Sequence, residues 1–148
     1  MGDLSLNFSH NEFPEGEAVH ADPRLVEALQ AFRTELGSAI APSRVEGALA
    51  RFDDGSLHSE HSARQRLSTA VDVFPENPIQ AFLLAPKYFG GYGIYLDTRG
   101  NDGKTAIMLH LDLRKEPLWW IRINGKYIYP KTEVECVAAL EVICGIYP

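Results

Sequence analysis

SEHSARQRLSTAVDVFP, residues 59–75, is the stretch on which the reading of this chain turns. It opens on polar residues and His61, passes a small-residue step at Ser68, Thr69 and Ala70, and ends in an apolar run carrying one acid, Asp72. Val71, Val73 and Phe74 around that acid read as a buried strand. A carboxylate in such a strand is costly unless something neutralises it, and the candidates are a metal ion, an arginine or a helix end.

Downstream, residues 105–113 (TAIMLHLDL) alternate as a strand does. Met108, His110 and Asp112 share one face, while Ile107, Leu109, Leu111 and Leu113 share the other. Residues 93–97 (GIYLD) and this strand form a hairpin across a turn at 98–104. Residues 119–123 (WWIRI) and 126–129 (KYIY) form a second hairpin about Asn124-Gly125. Residues 79–84 read as a short buried helix, and 88–93 (YFGGYG) as a glycine-rich turn that lacks the context of a phosphate loop.

Upstream, Asp22-Pro23 opens a helix in which Leu25, Leu29, Phe32 and Leu36 recur at helical spacing, and Gly37 ends it. Residues 38–44 make a link or short strand, 47–52 (GALARF) a further strand candidate, and 53–55 (DDG) a turn. Thr132 and Glu135 form a capping box for a final helix running to about Cys144. Hairpins pair antiparallel, so the expected fold class is α+β: an antiparallel sheet with an N-terminal and a C-terminal helix, in a single domain spanning residues 1–148.

The chain's 148 residues carry a net charge of −6 without a Lys/Arg cluster, which argues against a nucleic-acid partner. No stretch approaches the ~18 apolar residues of a membrane span. Residues 1–20 lack the basic start and apolar run of a secretory signal peptide, so the expected place of synthesis is the cytoplasm. Cys136 and Cys144 are separated by roughly 12 Å of helical rise, too far for a disulfide, and read as small buried apolar residues.

His10 and His20 read as surface residues. Asp72, His110 and a histidine from the His58/His61 loop instead make a mixed nitrogen and oxygen set, and three protein ligands with an open fourth position is the catalytic zinc arrangement. Spacing alone leaves the first ligand open between His58 and His61.

Five phrases in order then resemble the zinc D-alanyl-D-alanine carboxypeptidase-like peptidases, which share a Hedgehog-type metal fold. They are LNFSHNEF with the helix that follows, Ser43-Arg44, the Ser59-Glu60-His61 to Ala70-Val71-Asp72 passage, Gly93-Ile94-Tyr95, and His110-Leu111-Asp112-Leu113-Arg114 with Trp119/Trp120. The resemblance covers roughly residues 6–120 and is closest to compact phage and prophage versions. It implies zinc on His61, Asp72 and His110, with ten residues between the first two as a lengthened loop; the family's usual separation of about six would instead fall on Gln65. It also implies a substrate-holding arginine at Arg44 (Arg51 as the fallback), and hydrolysis of an amide in peptidoglycan stem peptides. Tyr92, Tyr95, Trp119 and Trp120 are the aromatics placed to floor a groove beside His110, with Trp120 the substrate-binding candidate. The family's general base precedes its last ligand, where this chain has Ile107 and Met108, so Asp112 is the acid left to substitute. The other expectation is a catalytically degenerate form of this fold, virion-associated and partnered by phage structural proteins.

Overall fold

The computed structural model describes residues 2–52, 59–64 and 66–146. The turn expected at 53–55, His58 and Gln65 lie outside the described residues. Helix α1 (Pro23–Leu36) forms where its signals place it: the Asp22 carboxylate accepts the Arg24 N–H, and Gly37 ends it in a left-handed conformation. Its apolar stripe, Leu25, Leu29 and Phe32, is buried. The N-terminal arm packs on the core through Phe8 and Phe13, and Gln30 of α1 accepts the Asn7 N–H at 2.9 Å.

The remaining elements are β1 (Ile40–Pro42), β2 (Ala70–Pro75), α2 (Pro78–Leu84), β3 (Gly91–Arg99), β4 (Thr105–Asp112), β5 (Leu118–Ile123), β6 (Lys126–Ile128) and α3 (Glu133–Ile146). The fold is α+β, with six strands in the order β1-β2-β4-β3-β5-β6. Both expected hairpins form, and Asn124 and Gly125 take the positive φ values (51° and 72°) of the tight turn between β5 and β6. α3 carries its capping box, Glu135 N–H to Thr132 Oγ1 and Thr132 N–H to Glu135 Oε2.

Four expectations are corrected. The sheet is mixed, because β5 lies beside β3 and runs parallel to it. Residues 113–117 step over the start of β3 to make this possible: Gly90 N–H donates to Asp112 O, and Leu118 N–H donates to Gly90 O. A Cβ on Gly90 would stand 1.8 Å from the Arg114 carbonyl oxygen, so only glycine lets the connection cross. The glycine-rich segment 88–93 is accordingly no free turn, since β3 already begins at Gly91.

Residues 47–52 form no strand. The Glu17 carboxylate, 4% exposed, accepts the N–H groups of Gly47, Leu49 and Ala50 at 2.6, 2.9 and 2.9 Å. The segment therefore curls around a carboxylate instead of lending those groups to a ladder. Lastly, Cys144 is exposed and Cys136 half-buried, because among the described residues of α3 it is Ala139 and Ile143 that are buried in the core.

The sheet has two unlike faces. Val71, Val73, Ile94, Leu109, Leu111 and Ile121 pack with α1 and α2 in the hydrophobic core. The opposite face carries Asp72, His110 and Trp120. Glu17→Ala leaves three buried N–H groups without their acceptor and is expected to lower unfolding free energy by about 3 kcal/mol in urea denaturation. Gly90→Ala is expected to cost about 2–3 kcal/mol in the same measurement, because the crossing backbone must shift.

Candidate metal centre

Asp72 and His110 are register partners on β2 and β4, so sheet pairing alone sets them side by side. His61 comes from the loop before β2, and two backbone hydrogen bonds fix its position: Arg51 N–H to His61 O (2.8 Å) and Ala63 N–H to Arg51 O (2.9 Å). The loop folds back further through Thr69, whose N–H donates to Glu60 O and whose hydroxyl donates to Glu60 Oε2 at 2.6 Å. The ten-residue separation is thus closed on itself, and His61 reaches the other two residues.

His61 Nε2 lies 3.0 Å from His110 Nδ1 and 3.5 Å from Asp72 Oδ1, while His110 Nδ1 lies 3.1 Å from Asp72 Oδ1. All three residues are buried. Four ligands around an ion with bonds of about 2.0–2.1 Å are separated from one another by about 3.3 Å, so these distances suit one common ion. A proton can bridge only two of the three atoms and leaves the third lone pair facing them. The group can hold a metal ion.

Asp112, expected as a substitute proton acceptor, lies behind His110, at the far side of the ring from Nδ1. It is 0% exposed; its Oδ2 accepts from His110 Nε2 at 2.8 Å, and its Oδ1 accepts from the N–H and Nε–H of Arg114 at 3.0 and 2.8 Å. Asp112 can only accept, which keeps a proton on Nε2; Nδ1 faces Asp72 and His61 and is the ring nitrogen an ion would take.

Trp120 belongs to the same face through Gly93, which pairs with His110 on one side and Trp120 on the other. A Cβ on Gly93 would meet the indole at 2.3 Å, so the missing side chain lets Trp120 lie across β3 to within 5.1 Å of the His110 ring centroid. Tyr95 shares this face, whereas Tyr92 and Trp119 turn to the core side and pack on Phe82.

Around the three ligand candidates is an open cleft of about 400 Å³ whose walls include Arg51, Glu60, Trp120, Arg122 and Tyr127. Arg44 is not among them: it is exposed beside a neighbouring hollow, and its backbone N–H donates to Asn101 Oδ1. Arg51, the fallback arginine, lines both spaces. Sequence reasoning did not single out Glu60, Arg122 or Tyr127 as cleft residues. The available signal was alternation, since Trp120 and Arg122 are two apart on one strand, and Arg122 pairs with Tyr127 on the next.

Burial disfavours a charged His110, but the hydrogen bonds of Asp112 and Asp72 overcome it and hold the imidazole up at about 8. Burial likewise opposes ionisation of Asp72 and Asp112. The two histidines at Asp72, and His110 with Arg114 at Asp112, hold both carboxyls well below the usual carboxylate range. His110 therefore stabilises the metal-free fold fully below its ordinary pKa of about 6.5, and that contribution is lost as pH rises through about 8. The two aspartates contribute fully above about 4 and lose their contribution in acid. Chelator-treated protein is expected to be most stable between about pH 4 and 6.5, measured as urea midpoint against pH. His110→Gln is expected to flatten the alkaline arm.

No family model matches the chain, and no match was found among curated proteins or solved structures.

Proposed function

We propose that this chain is a zinc-dependent peptidase of the D-alanyl-D-alanine carboxypeptidase-like, Hedgehog-type fold, acting on peptidoglycan stem peptides. The observation that carries the reading is the convergence of His61 Nε2, Asp72 Oδ1 and His110 Nδ1 to within 3.0–3.5 Å of one another at an open cleft. Two imidazoles and a carboxylate suit zinc, and a cleft beside them leaves a fourth position accessible. Zinc bound there would acidify a water and polarise the substrate carbonyl.

The chain's own residues divide the remaining work. Asp112 keeps the His110 ring oriented with Nδ1 toward Asp72 and His61. Glu60, with Asp72 one of the two carboxylates among the described cleft residues, would be the proton acceptor. Arg51 offers a guanidinium to a peptide carboxylate in place of Arg44, and Trp120 floors the cleft. No helix among the described residues is long and apolar enough to cross a membrane.

A second reading, a catalytically degenerate fold serving in a phage particle or tail, is favoured by one observation. α3 presents Val134, Val137 and Val142 to solvent, at 79, 52 and 43% exposure, an apolar surface suited to assembly.

Purified protein is expected to hold one zinc per chain by elemental analysis and to release the terminal residue or cleave within a soluble stem peptide, with activity lost on chelation and regained with zinc. His110→Ala is expected to lose both metal and activity. Arg51→Ala is expected to keep zinc and raise KM about tenfold or more. Full zinc loading without any cleavage would favour the structural reading, and absence of zinc binding would overturn the peptidase.

A further inference from the structure

The face that carries the metal ligands continues to the sheet edge as a floor of aromatic rings. Two cross-strand rows build it. In one, His110, Gly93 and Trp120 are in register on β4, β3 and β5. In the other, Met108, Tyr95, Arg122 and Tyr127 are in register on β4, β3, β5 and β6. Tyr129 follows Tyr127 at a two-residue step and closes the first row, its ring 6.2 Å from Trp120.

The rings adjoin one another. Tyr127 and Tyr129 lie 6.4 Å apart with planes within 13°, and Tyr95 is 6.0 Å from Tyr127. The Arg122 guanidinium stands 5.7 Å from the centroids of both Tyr95 and Tyr127. Tyr127 and Tyr129 are 51 and 44% exposed, so the outer rings do not fill a core. At about 4.8 Å per strand, the floor runs about 14 Å from His110 on β4 to β6.

An occupant of this floor must present flat apolar faces to successive rings while offering oxygens to phenol hydroxyls and a guanidinium. A chain of pyranose rings does both, because one face of each ring is C–H and its rim is hydroxyl or acetamido. The span also suits a short oligosaccharide. A net charge of −6 disfavours a nucleic-acid strand, which would otherwise stack on such rings. A broad protein face seated on the floor would close the cleft over the metal ligands.

We propose that Trp120, Tyr95, Tyr127, Tyr129 and Arg122 form a saccharide subsite that holds the glycan part of a ligand whose peptide amide lies at His61, Asp72 and His110. The placement of the amide rests on the peptidase reading, whereas glycan binding on the floor does not require hydrolysis.

The test is a titration of the whole chain with a peptide-free tetramer of N-acetylglucosamine, followed by calorimetry and by the NMR signal of the Trp120 indole N–H. A saturable shift of that signal is expected. The double variant Tyr127→Ala/Tyr129→Ala is expected to raise Kd about tenfold or more while its zinc content stays at the wild-type level. Mapping shifts on the wild-type protein keeps the proposal testable if the double variant does not fold. Absence of any shift, shifts confined to other surfaces, equal affinity in the double variant, or dimerisation through β6 in place of sugar binding would each overturn it. Failure to cleave a free stem peptide with saccharide binding intact would count against the peptidase reading alone.

Discussion

A carboxylate sealed from water must be neutralised where it lies, and Asp112 is neutralised from two sides at once. One oxygen accepts a hydrogen bond from His110 Nε2, and Arg114, on the connection that steps over β3, donates to both oxygens. The same carboxylate crowds the bare backbone of Gly91, where a Cβ would stand 2.2 Å away. Strand crossing, ring orientation and the bareness of the glycines are thus one constraint. Arg114 extends it further, its guanidinium lying 5.3 Å from the Trp120 ring centroid. The order of the sheet and the chemistry of its exposed face are set by the same few contacts.

The three ligand candidates differ in how they are held. Asp72 and His110 stand on adjacent strands, where the ladder fixes their separation. His61 stands on a loop, and its position depends on backbone bonds to Arg51, on Thr69 and on the curl of residues 47–51. Ala48 O accepts the Asp72 N–H, and Leu49 O accepts the Ser68 hydroxyl, so this curl touches both ligand-bearing segments. Two of the candidates are therefore held by strand pairing and the third by loop contacts.

Much of this was legible in the residues. The alternation of TAIMLHLDL put His110 and Asp112 on one face, Asp22-Pro23 and Gly37 bounded α1, and Asn124-Gly125 marked the second hairpin. The acid in Ala70-Val71-Asp72-Val73 pointed to a partner. What escaped was whatever depends on distant backbone. The parallel placement of β5 is written only in Gly90, read locally as a turn, and the missing strand at 47–52 is written in Glu17, thirty residues before Gly47. The resemblance put Arg44 ahead of Arg51, but the fold shows that the cleft receives Arg51. Asp112 shares a face with His110, yet ring geometry decides that it stands behind the imidazole.

Glu17 occupies its loop as a bound anion would occupy a cradle of amides, except that this anion is covalently part of the chain. The loop's shape is thus fixed by a component that cannot diffuse away, and its entropy is lost once, on folding. The consequence is a dependence that runs across the chain. The curl that presents its edges to the segments of His61 and Asp72 is held by Glu17 across 30 residues, and the pairing of Asp72 with His110 spans 38, so the centre is complete only when both long-range closures are made.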